Sequence, residues 1–132
     1  MAEPFRILSV EDNADTRLLL KHTLQDDYEV AFASGVANAL DTVASEPFDL
    51  LLLDISLGTD RGGVKLLHKV RERDDLDDIP AIALTAFAMP GDREELLDQG
   101  FDAYVGKPFT NAELTRTIDR ALSVGCARAL GA

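Results

Sequence analysis

The sequence has a single cysteine, no tryptophan and no apolar run long enough to cross a bilayer. Cys126 has no partner within the chain, which excludes a framework of intrachain disulfides. The longest strongly apolar stretch, Leu50 to Leu53, is far shorter than the ~20 residues that a membrane-spanning helix needs. The N-terminus lacks the charged start and apolar run of a signal peptide, so the cytoplasm is the expected location.

Basic residues are also scarce: the sequence has 13 Lys and Arg residues and 24 Asp and Glu residues, which gives a net charge of −11. Such a surface repels phosphates, so we expect neither a nucleic acid partner nor an anionic membrane. Proteins and cations are the expected partners. We interpret His22 and His68 as surface residues, since neither has a second potential metal ligand three or four positions away.

The composition is otherwise that of a folded domain. Apolar residues make up 46% of the 132 positions, which is enough for a core without disulfides or a structural metal. No repeat, linker or break in composition divides the chain. We therefore expect one domain over residues 1–132, with a core at about 5–124 and a loose tail at 125–132 that carries Cys126.

Apolar runs alternate with helix-period segments five times along the chain. Strands are predicted at Phe5–Val10, Tyr28–Ala33, Leu50–Leu53, Pro80–Leu84 and Ala103–Val105, and the alternating pattern of the second is typical of an edge strand. Helices are predicted at Ala14–Gln25 with a cap near Asn13, at Val36–Val43, at Gly63–Val70, at Asp92–Gln99 and from a capping box at Thr110–Glu113 onwards. This alternation predicts an α/β fold, a doubly wound parallel sheet with helices on both faces.

Polar side chains that could bind a ligand or take part in a reaction follow the predicted strands. Glu11 and Asp12 follow the first, Asp54 the third, Thr85 the fourth and Lys107 the fifth. Ligands of such sheets bind beyond the carboxyl ends of the strands, so these residues are the candidate site. If the first and third strands are neighbours, roughly 4.8 Å apart, their three carboxylates converge in one cleft.

Three converging carboxylates require a cation, and Mg²⁺ fits because it takes carboxylate, carbonyl, water and phosphate oxygens; Mn²⁺ is an alternative. We predict that Asp12 and Asp54 bind the metal directly and that Glu11 binds it directly or through water. The backbone carbonyl of Ser56 is a further candidate ligand.

A metal-bound carboxylate beside a lysine and a hydroxyl is equipped to attack a phosphoryl group and form an aspartyl phosphate, here on Asp54. Lys107 would neutralise the phosphoryl oxygens and Thr85 would donate a hydrogen bond to one of them. Ala86 is small and leaves the acceptor accessible, and we assign its backbone to phosphate stabilisation. Singly, each residue also has an ordinary structural interpretation, such as helix capping for Glu11 and Asp12.

The sequence resembles the receiver domains of response regulators, the chemotaxis regulators among them, from Phe5 to about Val124. The resemblance lies in the acidic pair Glu11-Asp12, Asp54 at the end of a leucine run, Gly62 eight residues later, Thr85-Ala86, and Lys107-Pro108 twenty-two residues after Thr85. It implies a flavodoxin-like five-stranded sheet in the order 2-1-3-4-5. It also implies a signalling domain with slow self-dephosphorylation rather than an enzyme.

The resemblance carries further expectations. Tyr104, three residues before the lysine, matches the family's aromatic switch, and the Lys107-Pro108 peptide is expected to be cis. A histidine kinase or phosphotransfer protein would donate the phosphoryl group, and the fourth helix, fifth strand and fifth helix would bind the downstream target. Leu57 and Gly58 depart from a common Met-Pro pair. Ala103 replaces a frequent acidic residue, which favours a monomer or a weak homodimer.

Three alternatives remain open at this point. The chain could be a receiver excised from a hybrid kinase or another multidomain regulator. It could be a flavodoxin-like cofactor binder, although Glu11 and Asp12 would repel phosphate there unless a metal intervened. A small metal-dependent phosphatase would need a substrate pocket that the sequence does not indicate.

Overall fold

The computed structural model describes residues 5–55, 62–73, 79–86, 90–107 and 109–129. Strands and helices alternate throughout. The strands are β1 Arg6–Val10, β2 Glu29–Ala33, β3 Leu50–Asp54, β4 Ala81–Thr85 and β5 Ala103–Gly106. The helices are α1 Ala14–Leu24, α2 Val36–Ser45, α3 Gly62–Arg71, α4 Pro90–Asp98 and α5 Asn111–Ala129.

The five strands form one parallel sheet in the order β2-β1-β3-β4-β5, which confirms the predicted fold. The direction of winding reverses between β1 and β3, where Val10 pairs with Leu53. The residues that follow these two strands therefore emerge side by side. β2 lies at an edge of the sheet, as its alternating sequence predicted.

The core lies on both faces of the sheet because alternate residues of each strand point to opposite sides. Leu51 and Leu53 of β3 belong to a cluster with α2, α3 and α4. Leu50 and Leu52 belong to a second cluster with α1 and α5. This two-sided burial explains why β3 is a continuous run of leucines instead of an alternating pattern.

Ser9 interrupts the apolar residues of β1. It is fully buried and pairs in register with Phe32 and Leu52 of the neighbouring strands. Within the described part of the chain, its hydroxyl has no hydrogen-bond partner. A buried polar group in this condition reduces the stability of the folded state.

Capping residues start the helices where the sequence predicted. The Asn13 side chain accepts a hydrogen bond from the Thr16 N–H at 3.0 Å, and the Thr110 hydroxyl accepts one from the Glu113 N–H at 3.1 Å. Gly100, with φ at +112°, follows α4 in the left-handed region that favours glycine.

Several predicted boundaries were wrong. Thr85, for example, is the last residue of β4 instead of the first residue after it. Asp54 is the last residue of β3 instead of the first residue after it, because its backbone still pairs with Leu84 of β4. α4 begins at Pro90, two residues earlier than predicted, since proline suits the first turn of a helix. α5 continues through Cys126 to Ala129, because no proline interrupts it.

Arg71 joins three segments near the amino-terminal edge of the sheet. Its guanidinium donates to the carbonyls of Ile79 and Gly100, the latter at 2.9 Å, and lies 3.3 Å from the Asp102 carboxylate. Asp102 also accepts the Ala81 N–H at 2.9 Å. The end of α3 is thereby attached to the starts of β4 and β5.

Within the described ranges, no helix is both long enough and apolar enough to cross a membrane.

Candidate functional site

Three carboxylates meet at the carboxyl ends of β1 and β3. Glu11 and Asp12 follow β1, Asp54 ends β3, and one carboxylate oxygen from each lies within 4.8 Å of the others. Glu11 is 1% exposed and Asp54 is 3% exposed, whereas Asp12 is exposed. The arrangement agrees with the predicted convergence. It places two buried negative charges beside one that faces water.

Lys107 brings a positive charge to this cluster from the end of β5. Its Nζ lies 2.8 Å from Glu11 Oε1 and 3.5 Å from Asp54 Oδ2. The Lys107 N–H donates to the Thr85 carbonyl at 2.7 Å, which holds this segment against the end of β4. One ammonium group therefore contacts two buried carboxylates.

Burial and neighbouring groups affect the protonation of Glu11. Burial raises the pKa of Glu11 above its usual value, and a hydrogen bond with Asp54 raises it further. Lys107 and the Asn13 N–H, 3.2 Å from Glu11 Oε2, lower the pKa but do not reverse the shift. The raised pKa favours the protonated form of Glu11, so a cation in the pocket would compete with that proton.

Main-chain contacts hold Glu11 in place. Its N–H donates to the Ala33 carbonyl at 3.0 Å, and its carbonyl accepts a hydrogen bond from the Arg17 guanidinium at 2.8 Å. Sequence reasoning did not identify Arg17. Its position in α1, one to two turns after the acidic pair, was the available signal.

The backbone after Asp54 is also held on two sides. The Ile55 N–H donates to the Leu84 carbonyl at 3.0 Å, and the Ile55 carbonyl accepts the Gly63 N–H at 3.1 Å. The family resemblance drew attention to Gly62. The structure shows that the next residue, Gly63, lies directly against the backbone of Asp54.

Three other predicted residues lie on β4 and β5 or directly after β4. Thr85 is the buried last residue of β4, one position beyond the Asp54–Leu84 pair, and Ala86 is exposed. Tyr104 of β5 is half-buried and packs against the core on the α2–α4 face. Ser56 and Pro108 lie outside the described residues, as do Leu57, Gly58 and hence the predicted cis peptide. Both histidines are exposed.

Comparison with known proteins identifies the family of this chain. The family described as the response regulator receiver domain matches residues 7–119. The chain belongs to this family. The match includes the carboxylates on β1 and β3 and the lysine after β5, so the resemblance seen in the sequence is confirmed.

Relatives of this receiver domain occur in two settings. The chain is 36% identical over 119 residues to the sensor histidine kinase TmoS of Ectopseudomonas mendocina, covering 90% of this chain but 12% of TmoS. It is 34% identical over 116 residues to the polar-differentiation response regulator DivK of Brucella anthropi, covering 87% of this chain and 94% of DivK. Similar receivers thus exist both within large kinases and as small proteins.

Solved structures agree with this receiver architecture. The chemotaxis response regulator CheY4 of Vibrio cholerae has a TM-score of 0.84 at 28% identity, covering 90% of this chain and 99% of CheY4. The receiver domain of the kinase PA1611 of Pseudomonas aeruginosa has a TM-score of 0.82 at 31% identity, covering 92% and 99%. That structure contains a magnesium ion in its active-site cleft.

Receiver domains are signalling domains that bind Mg²⁺ in an acidic pocket and interact with histidine kinases or phosphotransfer proteins. The donor set of this chain fits such an ion, because Glu11, Asp12 and Asp54 offer only oxygen ligands within 4.8 Å of one another. Two of the three are buried, and the Lys107 ammonium lies beside them.

Proposed function

We propose that Asp54 accepts a phosphoryl group from the phosphohistidine of a histidine kinase or phosphotransfer protein. The observation that supports this most strongly is the pairing of the buried Asp54 carboxylate with the Lys107 ammonium, 3.5 Å away, inside an acidic pocket. The pocket combines a nucleophile with the positive charge that the transferred group requires.

Asp12, Asp54 and Glu11 would hold Mg²⁺, or Mn²⁺ in its place, with the Ser56 carbonyl as a further ligand. When bound, the ion supplies charge neutralisation for the phosphoryl oxygens. An Asp54 oxygen then forms the bond to phosphorus as the bond from phosphorus to the donor imidazole nitrogen breaks. The electron pair of that bond stays on the imidazole.

Lys107 is placed to contact the phosphoryl group once it is bound to Asp54. Its Nζ contacts Glu11 at 2.8 Å in the structure and needs only a short movement to reach an oxygen on phosphorylated Asp54. Thr85 ends the neighbouring strand and would donate its hydroxyl to a second oxygen, and the backbone of Ala86 would support a third. These groups stabilise the negative charge where it develops.

The response to phosphorylation would pass along β4 and β5. The Lys107 N–H binds the Thr85 carbonyl, so a movement of Thr85 towards the phosphate is transmitted to the end of β5. Tyr104, half-buried on β5, would rearrange with it and change the surface of α4, β5 and α5. We propose this surface as the binding site for a downstream protein.

The protein would act in the cytoplasm as a single receiver domain over residues 1–132, a monomer or a weak homodimer. A receiver module of a larger kinase is the second candidate, which the 36% identity to TmoS supports. The proposed chemistry at Asp54 is the same in both cases.

Acetyl phosphate and Mg²⁺, followed by intact-mass analysis, test the proposal. Wild type should gain one phosphoryl group only with Mg²⁺, Asp54→Asn should gain none, and the control Asp41→Asn, an exposed residue on α2, should behave as wild type. No gain in the wild type would overturn the proposal. A gain retained in Asp54→Asn would move the acceptor elsewhere.

A further inference from the structure

Gly63, at the start of α3, occupies a place that no other residue type fits without a shift of the backbone. A Cβ added there would lie 2.3 Å from the carbonyl oxygen of Asp54, 2.9 Å from its carbonyl carbon and 3.0 Å from the Cα of Ile55. Real Cβ atoms essentially never come closer than 3.0 Å to another heavy atom. All three contacted atoms belong to the backbone, so no side-chain rotation can make room.

Conformational freedom does not explain this glycine. In the part of the chain that the structure describes, the glycine with positive φ is Gly100, whereas Gly63 lies within a helix. Alanine is the better helix former, so local preference alone would favour it at this position. The reason for glycine is the contact with the acceptor's backbone.

Hydrogen bonds fix the same contact from both sides. The Gly63 N–H donates to the Ile55 carbonyl at 3.1 Å, and the Ile55 N–H donates to the Leu84 carbonyl of β4 at 3.0 Å. The peptide that joins Asp54 to Ile55 is thereby enclosed between β4 and the first turn of α3. Neither neighbour can be displaced without breaking a hydrogen bond or moving Asp54 itself.

We propose that Gly63 is a positioning residue for phosphoryl transfer: by lacking a Cβ, it lets α3 start in contact with Asp54 and sets the place of that carboxylate. The inference rests on the proposed role of Asp54 as acceptor. A Cβ must move at least 0.7 Å away from the Asp54 carbonyl to reach 3.0 Å. A displacement of this size in the Asp54 backbone would change the distance of its carboxylate from Lys107 and from the carboxylates that would share its metal.

The test compares Gly63→Ala with Gly35→Ala, a matched control. A Cβ at Gly35 meets nothing within 4 Å, and the φ of −167° there suits any residue. Initial phosphorylation rates are measured with acetyl phosphate over a range of Mg²⁺ concentrations, at a temperature where circular dichroism shows each variant folded. Misplacement of reacting groups by about 1 Å lowers rates up to ~100-fold.

We expect Gly63→Ala to be phosphorylated about 10- to 100-fold more slowly than wild type and to require more Mg²⁺. Gly35→Ala should stay within about twofold of wild type, since a substitution that displaces nothing leaves the site unchanged. A merely structural role would change the unfolding temperature but neither the rate nor the Mg²⁺ requirement of the folded protein.

Failure of the proposed function and failure of the positioning role give different results. A wild type that is not phosphorylated refutes the acceptor role of Asp54. A folded Gly63→Ala with the wild-type rate and Mg²⁺ requirement overturns the positioning role alone. A Gly63→Ala chain that stays unfolded even in trimethylamine N-oxide, which favours compact states, also overturns it, because the contact would then be a condition for folding.

Discussion

Removal of the ammonium at the acidic cluster should destabilise the metal-free protein to an extent that depends on pH. Lys107 is the residue to change, and Lys107→Met keeps an unbranched side chain while removing the charge. The Nζ lies 2.8 Å from Glu11 and 3.5 Å from Asp54, both nearly fully buried. At an effective dielectric of ~20, these separations correspond to attractions of roughly 6 and 5 kcal/mol.

Desolvation offsets much of this attraction, and the lysine side chain keeps 24% of its exposure. Breaking a buried ion pair costs about 3–5 kcal/mol, so we take the lower limit, ~3 kcal/mol, for a partly exposed lysine. For a domain of this size, the loss corresponds to a fall in Tm of about 10 °C. Urea unfolding followed by circular dichroism at pH 8, without divalent metal, measures it.

The sign of the pH dependence follows from Glu11, whose pKa is raised in the folded state. A raised pKa contributes stability that is complete below the unfolded value of about 4.5 and is lost as the pH rises through the folded value. Lys107 lowers the pKa of Glu11, so its removal raises that pKa further. The penalty of Lys107→Met should therefore be smaller at pH 5 than at pH 8, because protonation of Glu11 compensates in part for the lost ammonium.

Mg²⁺ at pH 8 should reduce the penalty in the same way, because a bound cation also neutralises the carboxylates. Lys65→Met, an exposed lysine on α3, is the control and should change stability by less than ~0.5 kcal/mol. An equal loss at both pH values, with and without Mg²⁺, would refute the reasoning, since Lys107 would then contribute through packing alone.

Three further substitutions test features of the fold by urea unfolding. Ser9→Ala should leave stability unchanged or raise it by up to ~1 kcal/mol, because it removes a buried hydroxyl without a partner among the described residues; a clear loss would contradict this. Arg71→Lys should cost about 1–2 kcal/mol, because an ammonium cannot reproduce the planar contacts to Ile79, Gly100 and Asp102, and an unchanged midpoint would show those contacts to be dispensable. Gly100→Ala should cost about 1–2 kcal/mol through its φ of +112°, and a stabilised variant would argue against strain there.

Much of this fold and cluster could be predicted from the sequence because the signals are local. The leucine run of β3, the caps at Asn13 and Thr110, and charged residues at strand ends each follow from short-range rules. The predicted convergence of the carboxylates assumed that β1 and β3 are neighbours, and the structure shows that these two strands pair.

Contacts between distant segments could not be predicted in this way. The approach of Gly63 to Asp54 depends on how α3 packs against the sheet, and the sequence showed only a Gly-Gly pair. Nothing in the sequence distinguishes Arg17 from other helix residues, but in the structure its guanidinium donates a hydrogen bond to the Glu11 carbonyl. The last turns of α5 were missed because helix termination without a proline or a cap leaves little local signal.

The strand order also bears on how the domain assembles. Glu11 follows β1 and Asp54 ends β3, which are neighbouring strands inside the sheet. Lys107 follows the edge strand β5 and is synthesised 53 residues after Asp54. At about 5–20 residues per second, a ribosome takes roughly 3–10 s to cover that interval. An intermediate with β1 and β3 paired but β5 undocked would bury two carboxylates without their ammonium. The arrival of the edge strand relieves that repulsion, so the charges of the site make the docking of β5 more favourable and the folding of the whole sheet more cooperative.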